Sequence, residues 1–466
     1  MVSLFKQDKI KTFEYFYFFI MVIYMAQMNG NTTRMISGLS SPYFPFLFPI
    51  ILTIILLDRH KVKFDNKKLL RLLLLFAIWM ILLFNHKPYY GGSDYSYHFF
   101  IFYSIIIAYI HIQVFGKKML PLYEHIMIRL SLLSLILWGI YIIYPGTAAF
   151  FRSFPEAGNG NHIFYLYKWF DPSRLDKLEG FVIYGFLRNS GCTWEPGRFS
   201  VMILLALYSN LIRNGIKFKG NTGGIILLLA LASTFSTTGY LAAIVLYSFF
   251  AIRKFNIKGV LVFLLIIIPI SFQLARLEFM QEKITNQLDL NSEISKINER
   301  IDYVNKVHES NEYVGSLGRF QAMYFELINI EKDPILGYGW NTHHSYFSQR
   351  ISGNYVLTGG ILKLIGQLGI PLGLLLYFFL YKSSAALGNE FKVRKATLFV
   401  LFLIFSISYS LFTVPIITAF WLYGLFKKEE EIELITSTIT SKNSTEAKEV
   451  STVTSTSSKD EGNLPS

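Results

Sequence analysis

Apolar runs long enough to cross a lipid bilayer recur along this chain as far as residue 426, and they constrain its fold more than any other feature. A hydrocarbon core about 30 Å thick takes about 20 apolar residues as a helix. Twelve runs approach that length: 13–28, 42–57, 69–84, 98–115, 124–144, 197–212, 222–236, 238–252, 258–274, 356–381, 395–411 and 413–426. Several are short, and little more than Thr413 and Pro415 separates the last two. Of the 466 residues, 52% are hydrophobic and only 16% charged, against about 25% charged in soluble domains. Disorder, a collagen-like fibre, a disulfide scaffold and an ordinary cytosolic enzyme are excluded. The expected fold class is an all-α polytopic membrane protein of about 12 transmembrane helices.

Charge gives an orientation. The formal net charge is +13, and cytoplasmic loops collect Lys and Arg. Arg59, Lys61, Lys63, Lys67, Lys68 and Arg71 lie between the second and third runs. Lys117 and Lys118, then Arg213, Lys217 and Lys219, then Arg253, Lys254 and Lys258 fill three further turns. Lys382, Lys392, Arg394 and Lys395 follow, and Lys427 and Lys428 close the last run. All fall on one side of a twelve-span arrangement with both termini in the cytoplasm. The opposite short loops hold only Arg34 and Lys87. No basic helix or stacking motif stands clear of the spans, which argues against a nucleic-acid partner.

The expected organisation is then spans 1–5 over residues 1–144, a first long outer loop over 145–196, and spans 6–9 over 197–274. A second long outer loop covers 275–355, spans 10–12 cover 356–436, and 437–466 is a Ser/Thr/Lys/Glu tail too polar to fold. Lys6, Lys9 and Lys11 precede the first run, and no small-residue cleavage site follows at Gln27-Met28-Asn29, so a retained first span is expected. Cys192 is the one cysteine, which rules out an internal disulfide or a thiolate cluster and suggests a small buried residue. In the second loop Ile294, Ile297, Ile301 and Val304 form a helical stripe after Asn291 and Ser292, read as a packing helix.

Both long loops end in sequences rich in chemistry. The first ends Arg188-Asn-Ser-Gly191-Cys-Thr-Trp194-Glu195-Pro-Gly-Arg198. Charges at a membrane edge are costly unless paired or solvated. A helix opening near Pro196 or Arg198, with two arginines, reads either as an anion site or as an interfacial Glu–Arg pair. The second contains Gly318-Arg319, then Asp333-Pro-Ile-Leu-Gly337-Tyr-Gly339-Trp-Asn-Thr-His343-His344-Ser-Tyr346, and Gly369-Ile-Pro371 inside the following span. Histidine is the usual general base near neutral pH. Two interfacial histidines with satisfied hydrogen bonds would give the same letters. Gly337-x-Gly339 lacks the third glycine of a dinucleotide fingerprint.

Arg188-x-x-Gly191-x-x-x-Glu195-Pro-Gly resembles the motif before a central span in Wzy-type polysaccharide polymerases and the related O-antigen ligases. Asp333-Pro-Ile-Leu-Gly337-x-Gly339, His343-x-Ser-Tyr346 and Gly369-Ile-Pro-Leu-Gly373 resemble the second signature of the same superfamily. The resemblance covers roughly residues 10–430. It implies a GT-C-like membrane glycosyltransferase of the bacterial cytoplasmic membrane, using polyprenyl-pyrophosphate-linked oligosaccharides at the outer face. It implies no metal and no cofactor, membrane lipid around the chain, and flippase and chain-length regulator proteins as partners. By motif position Arg188 and Arg319 grip the pyrophosphate and His343 activates the acceptor hydroxyl. Glu195 belongs to the catalytic group, and Arg198, Trp194 and Tyr346 to the substrate-binding one. The family's usual histidine is followed by Asn, and here by His344, which a one-residue shift would make the base.

That chemistry suits the residues. A glycosyl group leaving a pyrophosphate develops negative charge, and preorganised cations stabilise it most in the transition state. Arginine stays charged and donates bidentate hydrogen bonds to phosphate. No Asp-x-Asp-like pair adjoins the motifs. Trp169, Tyr184, Trp194 and Trp340 read as sugar-stacking or as interface-belt aromatics. A ligase, or a transporter or flippase of lipid-linked sugars, are the alternative functions. Polar residues inside the runs are mostly Ser, Thr and Gln, as in Ser233–Thr238.

Overall fold

A computed structural model describes residues 12–27, 44–62, 65–85, 93–154, 161–164, 166–171, 182–183, 186–193, 195–254, 315–316, 319–339, 344–346, 355–356, 360–409, 412 and 414–427. The run at 258–274, the stripe at Ile294–Val304 and the tail lie outside them. The chain divides into two units, Met1–Phe426 and Lys427–Ser466, and all the elements that follow belong to the first.

The described residues are mostly helical. In order they form α1 (Thr12–Gln27), α2 (Phe44–His60), α3 (Asn66–Asn85), α4 (Ser93–Phe115), α5 (Met119–Ile143), the short α6 (Ala148–Arg152), α7 (Pro196–Asn214), α8 (Thr222–Ser233), α9 (Thr237–Lys254), α10 (Arg319–Lys332), α11 (Ile361–Glu390), α12 (Thr397–Ser408) and α13 (Pro415–Phe426). Each apolar run that falls among these residues lies on a helix. Two helical stretches, Ile101–Ile143 and Ile361–Glu390, are long and apolar enough to cross a membrane. The first is divided by a 3-10 turn at Gly116–Lys118, where Gly116 has φ +50°. Thr222–Ser233, Thr237–Ile252, Thr397–Ile407 and Pro415–Phe426 are shorter apolar helices. All but Thr237–Ile252 are shorter than their apolar runs, because hydropathy continues through a backbone break that hydrogen bonding does not. The expected span 222–236 stops as a helix at Ser233, for example, and Phe235 turns the chain at φ +45°.

α13 lies in the core between α4 and α11. Trp421 is buried there; its Nε1 donates to the Leu376 carbonyl at 2.7 Å, and its own carbonyl accepts from Ser383 Oγ at 2.6 Å. The last carbonyls of α13 are capped by Arg71 Nη1 on Leu425 at 2.8 Å and Gln113 Nε2 on Phe426 at 2.7 Å, which meets the need of a helix C-terminus for donors. At the basic end of the bundle, buried Glu124 accepts from Ser209 Oγ at 2.9 Å, Asn210 Nδ2 at 2.8 Å and Arg213 at 2.5 Å. Asn210 in turn pairs with Asn221, whose Oδ1 caps α8 at the Gly224 N–H.

The opposite end carries short strands. β1 (Asn161–Phe164) and β2 (Tyr167–Phe170) pair antiparallel, with His162 opposite Trp169. β3 (Val182–Ile183) and β4 (Phe186–Leu187) form a second two-residue pair. β5 (Gly315–Ser316) and β6 (Tyr355–Val356) pair in parallel, joining the two flanks of the second long loop. A small aromatic core seats the first loop on the end of α5: Trp169 stacks on Phe151 at 5.4 Å and meets Tyr141 edge-on at 5.6 Å. Arg152 clamps Asp171 bidentately at 2.7 and 2.8 Å. Trp169 is fully buried, so it is a core residue and not a sugar platform.

Candidate functional site

The first signature enters the helix bundle instead of lying over it. Trp138, on α5, donates from Nε1 to the Leu187 carbonyl at 2.6 Å. Arg188 follows, buried, with Nε donating to the Thr234 carbonyl at 2.9 Å. The next residue, Asn189, donates its backbone N–H to the Ser233 carbonyl at 2.9 Å. Its side-chain amide reaches Ser233 Oγ at 3.0 Å and Ser134 Oγ, midway along α5, at 3.2 Å. Asn189 Oδ1 then accepts the Gly191 N–H at 2.9 Å, which closes the turn. The carbonyls at the end of α8, which have no donors in their own helix, are therefore met by this loop. The guanidinium is oriented through Nε, and the partial negative charge of the helix terminus suits it.

Gly191 turns at φ +53°, and a Cβ there would lie 2.4 Å from the Phe199 ring. Only glycine fits both demands. Its carbonyl accepts the Lys168 N–H at 2.8 Å, which ties β2 to the signature. Lys168 is buried, and burial together with the nearby Arg198 charge brings its ammonium down to about 8. Cys192 is buried as expected, and burial pushes its thiol up to about 12, which leaves it an unreactive thiol. Thr193 Oγ donates to the Ser190 and Glu195 carbonyls at 2.9 and 2.8 Å. Glu195 is extended at the N-cap of α7, and Pro196 takes the first helical position, where its missing N–H costs nothing.

The second signature forms one junction from two distant stretches. α11 breaks at Gly369, whose φ is +77° and ψ 163°. Pro371 has no N–H to give the Gln367 carbonyl. That carbonyl instead accepts from the Gly339 N–H at 3.0 Å, and the Gly366 carbonyl accepts from Tyr338 N–H at 3.0 Å. Ile370 N–H, released by the break, donates to the Pro334 carbonyl at 2.8 Å. Asp333-Pro-Ile-Leu-Gly-Tyr-Gly is thus the hydrogen-bonding complement of Gly369-Ile-Pro. A Cβ on Gly337 would lie 2.5 Å from the Gly366 oxygen, and one on Gly369 2.0 Å from the Ile335 oxygen. Buried Tyr338 donates from Oη to Glu326 of α10, and Lys332 sits 5.5 Å over the Tyr346 ring.

The first signature and the head of α11 meet at Tyr409, the residue after α12. Arg198 lies 5.7 Å over its ring, and a Cβ on Gly197 would touch its hydroxyl at 2.0 Å. Gly360, at the head of α11, packs its backbone on the Ser406 and Tyr409 carbonyls; a Cβ there would lie 1.6 and 3.0 Å from their oxygens. Arg188, Glu195 and Arg198 lie on one continuous segment, and Tyr409 links it to Gly360 at the head of α11, the helix on which the second signature docks. His344 is half-buried beside buried Ser345. Arg319 opens α10, and its side chain, like His343, Trp194, Tyr184 and Trp340, lies outside the described residues.

The sequence reading did not single out Asn189, Lys168, Glu326, Tyr338, Lys363 or Tyr409. Asn189 and Tyr338 occupy unspecified positions inside the two motifs, which is the one signal that pointed to them. No protein-family model matches the chain, and no curated protein matches it by sequence.

Proposed function

We propose that the chain is a polytopic membrane glycosyltransferase of the polysaccharide-polymerase type. It transfers a growing glycan from its polyprenyl-pyrophosphate carrier onto a lipid-linked repeat unit at the outer face of the bacterial cytoplasmic membrane. The observation that carries the reading is that the first signature and the head of α11, the helix whose break at Gly369 the second signature fills, both pack on Tyr409. Membrane residence is supported by helices that are apolar on the faces they do not bury. Leu132, Ile136 and Ile140 form an exposed stripe at four-residue spacing on α5, and Ile370, Leu374 and Phe378 form another on α11. Such faces are a liability in water and ordinary in lipid. About twelve spans with both termini inside remain the topology that the basic loops favour.

In the reaction the bond from the sugar anomeric carbon to the pyrophosphate oxygen breaks, and a bond to the acceptor hydroxyl oxygen forms. Arg188 and Arg319 stabilise the leaving pyrophosphate, and His343, or His344 next to it, takes the hydroxyl proton. A positioned base of this kind contributes typically about 10²–10⁴-fold. The Thr234 carbonyl fixes the plane of the Arg188 fork. The resemblance assigns Glu195 to the catalytic group and Arg198, Trp194 and Tyr346 to substrate binding, and no cofactor or metal has a role in the scheme. Flippase and chain-length regulator proteins are the expected partners.

A transporter of lipid-linked sugars is the second reading, favoured by the broken helix α11, since discontinuous helices build transport sites. In those sites unwound carbonyls coordinate ions; here two of them accept backbone N–H groups of the second loop. Purified protein in liposomes with a defined lipid-linked repeat separates the readings. A ladder of lipid-linked chains, lost in Arg188→Ala, Arg319→Ala and His343→Ala with single repeats left over, is the expected result. Transfer to a different acceptor marks a ligase. Translocation without bond formation rejects the enzyme altogether, and a normal ladder in both single histidine variants removes the base assignment.

A further inference from the structure

Glu326 is a fully buried carboxylate that belongs to neither signature. It lies on the face of α10 that packs on α11. Tyr338 Oη donates to its Oε1 and Oε2 at 2.9 and 3.2 Å, and Asn329 Nδ2 to Oε2 at 3.3 Å. The ammonium of Lys363, one turn into α11, acts on it electrostatically. Gly366 leaves the room: a Cβ there would lie 2.6 Å from Glu326 Oε2. Buried carboxylates survive when paired and hydrogen-bonded, and this one has partners on α10, on α11 and on the loop between them.

The loop partner gives the arrangement its meaning. Tyr338 stands between Gly337 and Gly339, and its own N–H and that of Gly339 fill the break in α11. One residue is therefore held twice, by its backbone on Gly366 and by its hydroxyl on Glu326. Five and six residues later the same strand of chain reaches His343 and His344. Fixing Tyr338 anchors one end of the stretch of chain that leads to them, and orientation of a base is worth rate.

We infer that Glu326 is a positioning residue of the second loop, acting through Tyr338 to hold the segment that carries the two histidines. The inference rests on the glycosyl-transfer reading for its kinetic consequence alone.

Three variants of the full-length protein in detergent test it: Tyr338→Phe, Glu326→Ala and Glu326→Gln. Amide exchange over 334–346 is followed by mass spectrometry, and kcat and KM are measured with a defined lipid-linked repeat. Losing a hydrogen bond to a charged group predicts about tenfold or more faster exchange at Tyr338 and Gly339 in Tyr338→Phe and Glu326→Ala. A drop in kcat of similar size, about tenfold, is expected with the donor KM nearly unchanged, since neither of the proposed donor-gripping arginines, Arg188 and Arg319, lies on the Tyr338 loop. Glu326→Gln keeps an acceptor oxygen for Tyr338 and should recover most of both losses. Tyr338→Phe removes one hydroxyl, so it stays informative where Glu326→Ala does not fold. Unchanged exchange overturns the inference. Faster exchange with kcat intact also overturns it, because the contact is then structural only. If the wild-type protein forms no glycosidic bond, the function reading fails, and the exchange arm still decides whether Glu326 anchors the loop.

Discussion

Gly369→Ala should be among the most damaging single-methyl additions in the protein. Two costs follow from the geometry. Gly369 sits at φ +77° and ψ 163°, a region open essentially to glycine, where another residue pays about 1–3 kcal/mol. The new Cβ would also lie 2.0 Å from the Ile335 oxygen, a backbone atom that can retreat only if the loop lifts off α11. Lifting it breaks the bonds from Ile370, Tyr338 and Gly339, each worth about 0.5–1.5 kcal/mol net and more where a donor stays buried. The sum is about 3–7 kcal/mol. Gly220→Ala is the matched control: its φ is +78°, but nothing lies within 4 Å of a Cβ, so only the conformational cost of about 1–2 kcal/mol applies. Denaturant unfolding of the two purified variants in one mild detergent gives the difference directly, and amide exchange over 334–339 locates it. A Gly369→Ala loss within about 1 kcal/mol of the control, or unchanged exchange in the loop, would show that the loop and the break are not complementary.

Three further outcomes are expected. Arg188→Lys keeps the charge and loses the Nε–H that holds the Thr234 carbonyl, so polymer yield should fall by about tenfold to a hundredfold in a lipid-linked ladder assay; full activity would mean that charge alone suffices. Asn189→Ala deletes side-chain bonds to Ser134, Ser233 and the Gly191 N–H and should cost about 2–4 kcal/mol, read as a lower Tm. Lys168 releases its proton at about 8 in the folded chain and only in the ordinary lysine range when unfolded, so the unfolded state binds more protons between the two. Wild-type stability should therefore rise with pH from about 8 towards about 10.4, and Lys168→Met should remove that rise in denaturant titrations at several pH values.

The helices were legible because each apolar run needs backbone bonds that a helix supplies internally. Their ends were less so, because hydropathy reports the surroundings of a side chain and not where backbone pairing stops. α3 begins at Asn66, three residues before its apolar run, since Lys67 and Lys68 are good helix formers. α11 begins at Ile361, after β6 and the close packing of Gly360 on the Ser406 carbonyl, and runs on through Lys382 to Glu390. Arg188, Glu195 and Arg198 stood out because charge is scarce near the spans. Glu326 gave no such signal: flanked by Phe325 and Leu327 and outside both motifs, it shares a short helix with a second acidic residue, Glu331. Tyr409 gains its place from tertiary contacts with residues distant in the chain, Gly197 and Arg198 on one side and Gly360 on the other.

Both signature loops dock by the same physical device. A helix that stops or breaks leaves carbonyls without i+4 donors, and a lipid surround has no water to offer them. At the end of α8, Ser233 and Thr234 present such carbonyls, and the first loop answers with the Asn189 N–H and the Arg188 fork. At the break in α11, Gly366 and Gln367 present them, and the second loop answers with the Tyr338 and Gly339 N–H groups. The choice of donor differs with the task. A side-chain donor at the first break orients a cation whose proposed role is to meet phosphate. Backbone donors at the second break hold the chain ahead of the histidines whose proposed role is to activate the acceptor. Interruptions that looked like lost helix are therefore what fixes each loop in depth and register, and glycine is required wherever the two backbones approach within a Cβ radius.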